Sequence, residues 1–187
     1  MIISSFFSKL LIPSWSYPDY GDQVDDVFTE FYELPKNSIQ VLFIGASHIG
    51  YGISPCELYK SNGIVSYNMG TSNQGLDSSL LALKEVFKNQ TPQLVFFDIS
   101  KFNKRTSDSN DRNMLYDNIS FGRNKLRFAL ANSNGYSITN NLQYLPEHWQ
   151  KLIPIYQYHS RWKEISHNSF NHFVKKNIFL MGYNISL

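Results

Sequence analysis

Apolar positions along this chain gather into short blocks separated by polar turns, and the blocks predict a mixed α/β order. Val41-Leu42-Phe43-Ile44 has no polar face and predicts a strand buried on both sides. Gly45 ends it and is expected to let the chain leave the sheet in a conformation strained for other residues. Ser54-Pro55-Cys56-Glu57 is a helix start: a capping Ser, Pro at the first helical position, and a Glu that completes a capping box. That helix ends near Gly63, a natural left-handed stop. Ile64 to Asn68 predicts a second strand. Leu76 to Lys88 predicts a helix with an apolar stripe at Leu76, Leu80, Leu83 and Phe87, its dipole matched by Asp77 early and by Lys84 and Lys88 late. Thr91-Pro92 breaks the chain before a third strand, Leu94 to Phe97, again apolar on both faces.

Strand, helix, strand, helix, strand with short connections is the signature of a parallel sheet covered on both sides. The expected class is therefore α/β, three-layered, with strand order 2-1-3 at its core. Val27, Phe28, Phe31, Tyr32 and Leu34 predict a turn or two of helix before Pro35. After Asp98 the pattern changes. Residues 101 to 113 are polar and aperiodic and predict a surface loop, Phe121 to Ala131 predicts a helix, and Leu142 to Phe173 predicts helical sequence interrupted at Pro154, so a helical carboxyl-terminal extension follows the sheet.

A chain of 187 residues with 42% hydrophobic residues can bury a core, and 16% aromatic residues reinforce this. A net charge of +2 offers no electrostatic case for nucleic acid. The single cysteine, Cys56, excludes an internal disulfide and a multi-cysteine metal site, and is expected to pack as a small apolar side chain. No metal or other cofactor is expected. Ile2 to Ile12 is apolar but too short to span a membrane and lacks the features of a signal peptide. Residues 1–35 are read as an amino-terminal arm or the remnant of an anchor, which leaves membrane or envelope association open. Residues 36–187 are read as the α/β domain.

Three loops leave the carboxyl ends of the strands, where open α/β sheets bind their ligands. Ser47, with His48, is on the first, and two readings of it stand: a nucleophile displayed beyond the strand, or a helix-capping Ser. Gly70, Asn73 and Gln74 on the second loop are candidate oxyanion donors. Asp98 and Asn103 belong to the third, Asp98 as a site carboxylate or a structural cap. His48 directly follows Ser47 and is expected to shape the site rather than serve as its base. His148, His159, His167 and His172 lie in the tail. His159, beside Arg161 and Trp162, is a further candidate, and Tyr156, Tyr158 and Trp162 are read as core aromatics or as a sugar-stacking set. The spacing of His167 and His172 does not suit a shared metal.

Gly45-Ala46-Ser47-His48 after an apolar strand resembles the first motif of the SGNH (GDSL-like) hydrolases, and Asn68-Met69-Gly70 resembles their second. The run from Pro35 to Ile99 looks most like the branch of envelope acyl-transfer proteins that includes the alginate O-acetylation and lipoteichoic-acid D-alanylation proteins. The resemblance implies an SGNH/flavodoxin-like sheet and a Ser nucleophile. It also implies an oxyanion hole of Ser N–H, Gly N–H and an Asn side chain, and a His base oriented by Asp in an Asp-x-x-His motif. No Asp-x-x-His occurs in this sequence, and Asn103 or Asn73 would stand in for the family's Asn. A stop at Leu187 in helical sequence is expected of a domain incomplete at its carboxyl end.

The function expected from the resemblance is hydrolysis or transfer of an acyl group on an acylated, carbohydrate substrate through acyl-Ser47, in the cell envelope or outside the cytoplasm. The alternative is an SGNH-like binding or scaffold module without turnover. A flavodoxin-like nucleotide binder is disfavoured, because the first loop has neither a glycine-rich phosphate cradle nor a Lys or Arg.

Overall fold

The computed structural model describes residues 10–11, 24–100, 115–131 and 158–165. The chain forms two compact units, one of Trp15–Ile119 with Asn177–Leu187, the other of Met1–Ser14 with Ser120–Lys176.

The first unit holds a parallel sheet of β1 (Val41–Ile44), β2 (Ser66–Asn68) and β3 (Leu94–Phe97), in the order β2-β1-β3. Leu42 is level with Tyr67 and Val95, and Phe43 with Asn68 and Phe96. Side chains alternate along a strand, so these rows face opposite sides of the sheet. Helix α1 (Val24–Glu33) covers the Tyr67 side, where the Tyr67 hydroxyl donates to the carbonyl of Val27 and the Phe31 ring meets Tyr67 edge-on at 5.8 Å. Part of the segment read as an arm is thus a core helix of the sheet unit. On the Asn68 side lies α2 (Ser47–Gly52), which Asn68 bonds through the Ile49 carbonyl, and α3 (Pro55–Asn62) follows it in the chain. Helix α4 (Leu76–Val86) returns the chain to β3, and its Glu85 accepts from Tyr32 of α1 at 3.1 Å. The result is a small α/β fold with a parallel sheet flanked by helices.

The caps of α3 follow the expected chemistry. Ser54 accepts from the Glu57 N–H, Pro55 occupies the first turn, and Gly63 stops the helix at φ 68°. The Glu57 carboxylate pairs with Lys60 at 3.5 Å. Cys56, however, is exposed; Pro55 is the residue this helix buries.

In α4 the buried face is not the expected leucine stripe. Ser78, Ser79, Leu81, Ala82, Glu85 and Val86 turn inward, whereas Leu80 and Phe87 are 43% and 52% exposed. The inward polar groups have partners that offset their desolvation: Ser79 accepts from Gln74, and Glu85 holds the Lys88 ammonium with both oxygens at 2.7 and 2.8 Å. Strand β3 also departs from expectation. Phe96 stacks on Phe43 with centroids 5.1 Å apart, yet Leu94 and Phe96 are each 49% exposed.

In the second unit, α5 (Arg123–Ala131) lies within the stretch predicted helical, and residues His159–Glu164 form a 3-10 turn. Leu10 and Leu11 are buried there, and the Leu11 carbonyl accepts from Arg161 at 2.9 Å. Among the described residues no helix is long and apolar enough to cross a membrane.

Candidate functional site

In the order β2-β1-β3 the chain runs to one side of β1 and then returns to the other. The gap between the carboxyl ends of β1 and β3 is therefore the topological switch point of the sheet. The first and third loops meet there. The Asp98 N–H donates to the Ile44 carbonyl at 2.9 Å, which extends the β1–β3 ladder by one step and fixes Asp98 beside Gly45. Gly45 is needed for space rather than for a left-handed backbone, since its φ is not positive. A Cβ on Gly45 would lie 2.2 Å from the Asp98 Cβ and 2.8 Å from Oδ2.

Asp98 ties the two loops together. Its Oδ2 accepts from the Ala46 N–H at 3.1 Å and the Ser100 hydroxyl at 3.1 Å, and lies 2.9 Å from His48 Nε2. Its Oδ1 accepts from the Ser100 N–H at 2.7 Å. Burial alone would raise this carboxyl, but hydrogen bonds from the Ser100 and Ala46 amides, the Ser100 hydroxyl and His48 outweigh it and hold it at about 2. The Asp98 side chain is 7% exposed and the His48 side chain 54%. Asp98 is thus a structural cap and a partner of His48 at once.

Ser47 is the first helical residue of α2 and is half-buried. It does not cap that helix: Ala46 holds the N-cap position, and no side-chain bond closes the cap. Among the described residues nothing hydrogen-bonds to the Ser47 hydroxyl, and no hydrogen bond joins it to His48.

The second loop is locked to the first. The Asn68 side-chain amide donates to the carbonyls of Ile49 and Ile53, both at 2.8 Å, while its oxygen accepts from the Gly70 N–H at 2.9 Å. A Cβ on Gly70 would stand 2.4 Å from the Gly50 nitrogen, so the two backbones touch here. Gln74 is 2% exposed; its oxygen accepts from the Thr71 N–H and hydroxyl, and its amide donates to Ser79. The Gly70 N–H is therefore occupied within the fold, and the buried Gln74 amide donates to Ser79. Asn73 is exposed at the loop tip, in the left-handed region at φ 49°.

His159 belongs to the other unit, exposed at the start of the 3-10 turn, where Tyr158 is buried and Trp162 is 48% exposed. Asn103, His148, Tyr156, His167 and His172 lie outside the described residues. Ser100 is a site residue that the sequence pattern does not mark as a candidate. Its signal was available in Asp98-Ile99-Ser100, where a carboxylate two residues ahead of an N–H makes an Asx-turn. Among the described residues no cluster of His, Cys, Asp and Glu suits a metal ion. Comparison with protein-family models, with curated proteins and with solved structures finds no match to this chain in any of the three.

Proposed function

We propose that this chain is a serine ester hydrolase or O-acyltransferase of SGNH type, acting on an acylated carbohydrate in the cell envelope through an acyl-Ser47 intermediate. The observation that carries the reading is the His48–Asp98 contact at the β1/β3 switch point, next to a serine hydroxyl that no helix cap claims. In this reading the Ser47 oxygen attacks the acyl carbonyl carbon and gives up its proton. The tetrahedral intermediate then expels the alcohol, which takes a proton as it leaves. Water or a second hydroxyl next receives the acyl group. The developing oxyanion takes hydrogen bonds from the Ser47 N–H and the Asn73 side chain, because the Gly70 and Gln74 donors are already engaged.

A fluorophosphonate probe tests this reading. Labelling is expected on the peptide carrying Ser47 and is expected to vanish in Ser47→Ala. A folded chain that stays unlabelled contradicts it.

The same engaged donors, together with the lack of a Ser47–His48 hydrogen bond among the described residues, favour a second reading: a binding module on an SGNH-like frame. That module would hold an acylated glycan equally well after Ser47→Ala and would turn over no acetyl ester.

A further inference from the structure

Asp98, His48 and Ser100 form a closed triangle, and its hydrogens can be assigned from the distances. An ionised carboxylate only accepts. The hydrogen in the 2.9 Å contact between Asp98 Oδ2 and His48 Nε2 must then sit on Nε2. Ser100 lies 3.1 Å from the same Oδ2 and 3.3 Å from Nε2, and its hydroxyl hydrogen goes to the carboxylate. Nε2 is therefore not a base for Ser100, and Ser100 is a holder of Asp98 rather than a nucleophile. The carboxylate cannot swing to suit another arrangement, because backbone N–H groups from both loops, Ala46 and Ser100, bind its two oxygens.

We propose that Asp98 is the positioning residue of the site: it fixes His48 with its hydrogen on Nε2, so that Nδ1 carries the lone pair that accepts a proton. The ring is half exposed, and nothing among the described residues hydrogen-bonds to Nδ1. A carboxylate on one imidazole nitrogen sets the tautomer and leaves the other nitrogen for chemistry. The consequence for catalysis rests on the ester reading above. There the proton released by the Ser47 hydroxyl passes to Nδ1, directly or through one water, and returns from Nδ1 to the departing alcohol. His48 then supplies the base for which no Asp-x-x-His is present in this sequence.

The test is the tautomer itself, read by long-range proton–nitrogen correlation on protein carrying 15N-histidine, at about pH 9, where free imidazole is neutral. His48→Gln identifies the His48 signals among the 5 histidines. The expected spectrum has a protonated Nε2 and a lone-pair Nδ1, unchanged in Ser100→Ala and mixed in Asp98→Asn. A protonated Nδ1 in the wild type, or a tautomer that switches in Ser100→Ala, overturns the proposal. His48→Gln keeps an N–H for Asp98 but has no lone pair to offer, so fluorophosphonate labelling of Ser47 is expected to slow about 100-fold or more. Undiminished labelling in that variant counts against Nδ1 as the base. A wild type with the expected tautomer that never labels supports the Asp98 assignment and overturns the ester reading instead.

Discussion

His48 Nε2 stands 2.9 Å from Asp98 Oδ2, one residue from the end of β3 and four beyond the end of β1. The contact joins two loops that are 50 residues apart in sequence at the point where a parallel sheet of this order opens. Everything around it serves to hold Asp98: the ladder step from Ile44, the amides of Ala46 and Ser100, and the missing side chain at Gly45.

Stability should record this carboxylate. Its folded value is about 2 against an ordinary 3.8, so the folded state favours the ionised form. The contribution is about 2 kcal/mol, fully present above the ordinary value and lost as pH falls through it toward 2. Urea unfolding of the wild type and Asp98→Asn should differ by that amount near pH 7, and the two curves should converge in strong acid.

The glycines give a graded series. Gly45→Ala and Gly70→Ala place a Cβ against Asp98 and against the Gly50 backbone, and each is expected to cost about 3 kcal/mol or more. A Cβ on Gly52 meets nothing within 4 Å, and Gly52→Ala should be neutral or stabilising by up to about 1 kcal/mol. Thermal and denaturant unfolding of the three variants checks the order.

Asn68→Asp is nearly isosteric but exchanges the donor for a charged oxygen facing the Ile49 and Ile53 carbonyls. A loss of about 2 to 4 kcal/mol is expected. Asn68 Nδ2 anchors α2, so hydrogen exchange should rise at the amides of residues 49–53 before it rises in α4.

Lys88→Ala removes two hydrogen bonds from Glu85, whose side chain is fully buried. It should cost about 2 to 3 kcal/mol, well above the value of the exposed Lys60–Glu57 pair, where about 1 kcal/mol is the upper end. Denaturant unfolding of Lys88→Ala and Lys60→Ala makes the comparison.

Much of the sheet was legible because its signals are local. The apolar blocks at Val41 and Leu94, the Ser54-Pro55 start and the Gly63 stop each act within a few residues, and the carboxyl ends of the strands told where to look for Ser47. What escaped depends on long-range partners. Glu85 is inward because Tyr32 and Lys88 meet it, which no helical period encodes. Gly70 and Gln74 have the composition of oxyanion donors, yet Asn68, Thr71 and Ser79 take up their hydrogen-bonding capacity. Gly45 after a strand reads as a backbone requirement, while in the structure it leaves space for a side chain 53 residues away. Nothing in the sequence around His48 points to Asp98, because the two meet only through the pairing of the third strand with the first.

Trapping the acyl group on Ser47 separates an esterase or acyltransferase from a binding module. The protein is mixed with p-nitrophenyl acetate, quenched in acid at short times, digested and examined by mass spectrometry. An acetyl ester is expected on the Ser47 peptide, decaying as turnover proceeds, absent from Ser47→Ala and accumulating far more slowly in His48→Gln. Acetyl found only on surface lysines, or found equally in Ser47→Ala, would contradict the ester reading.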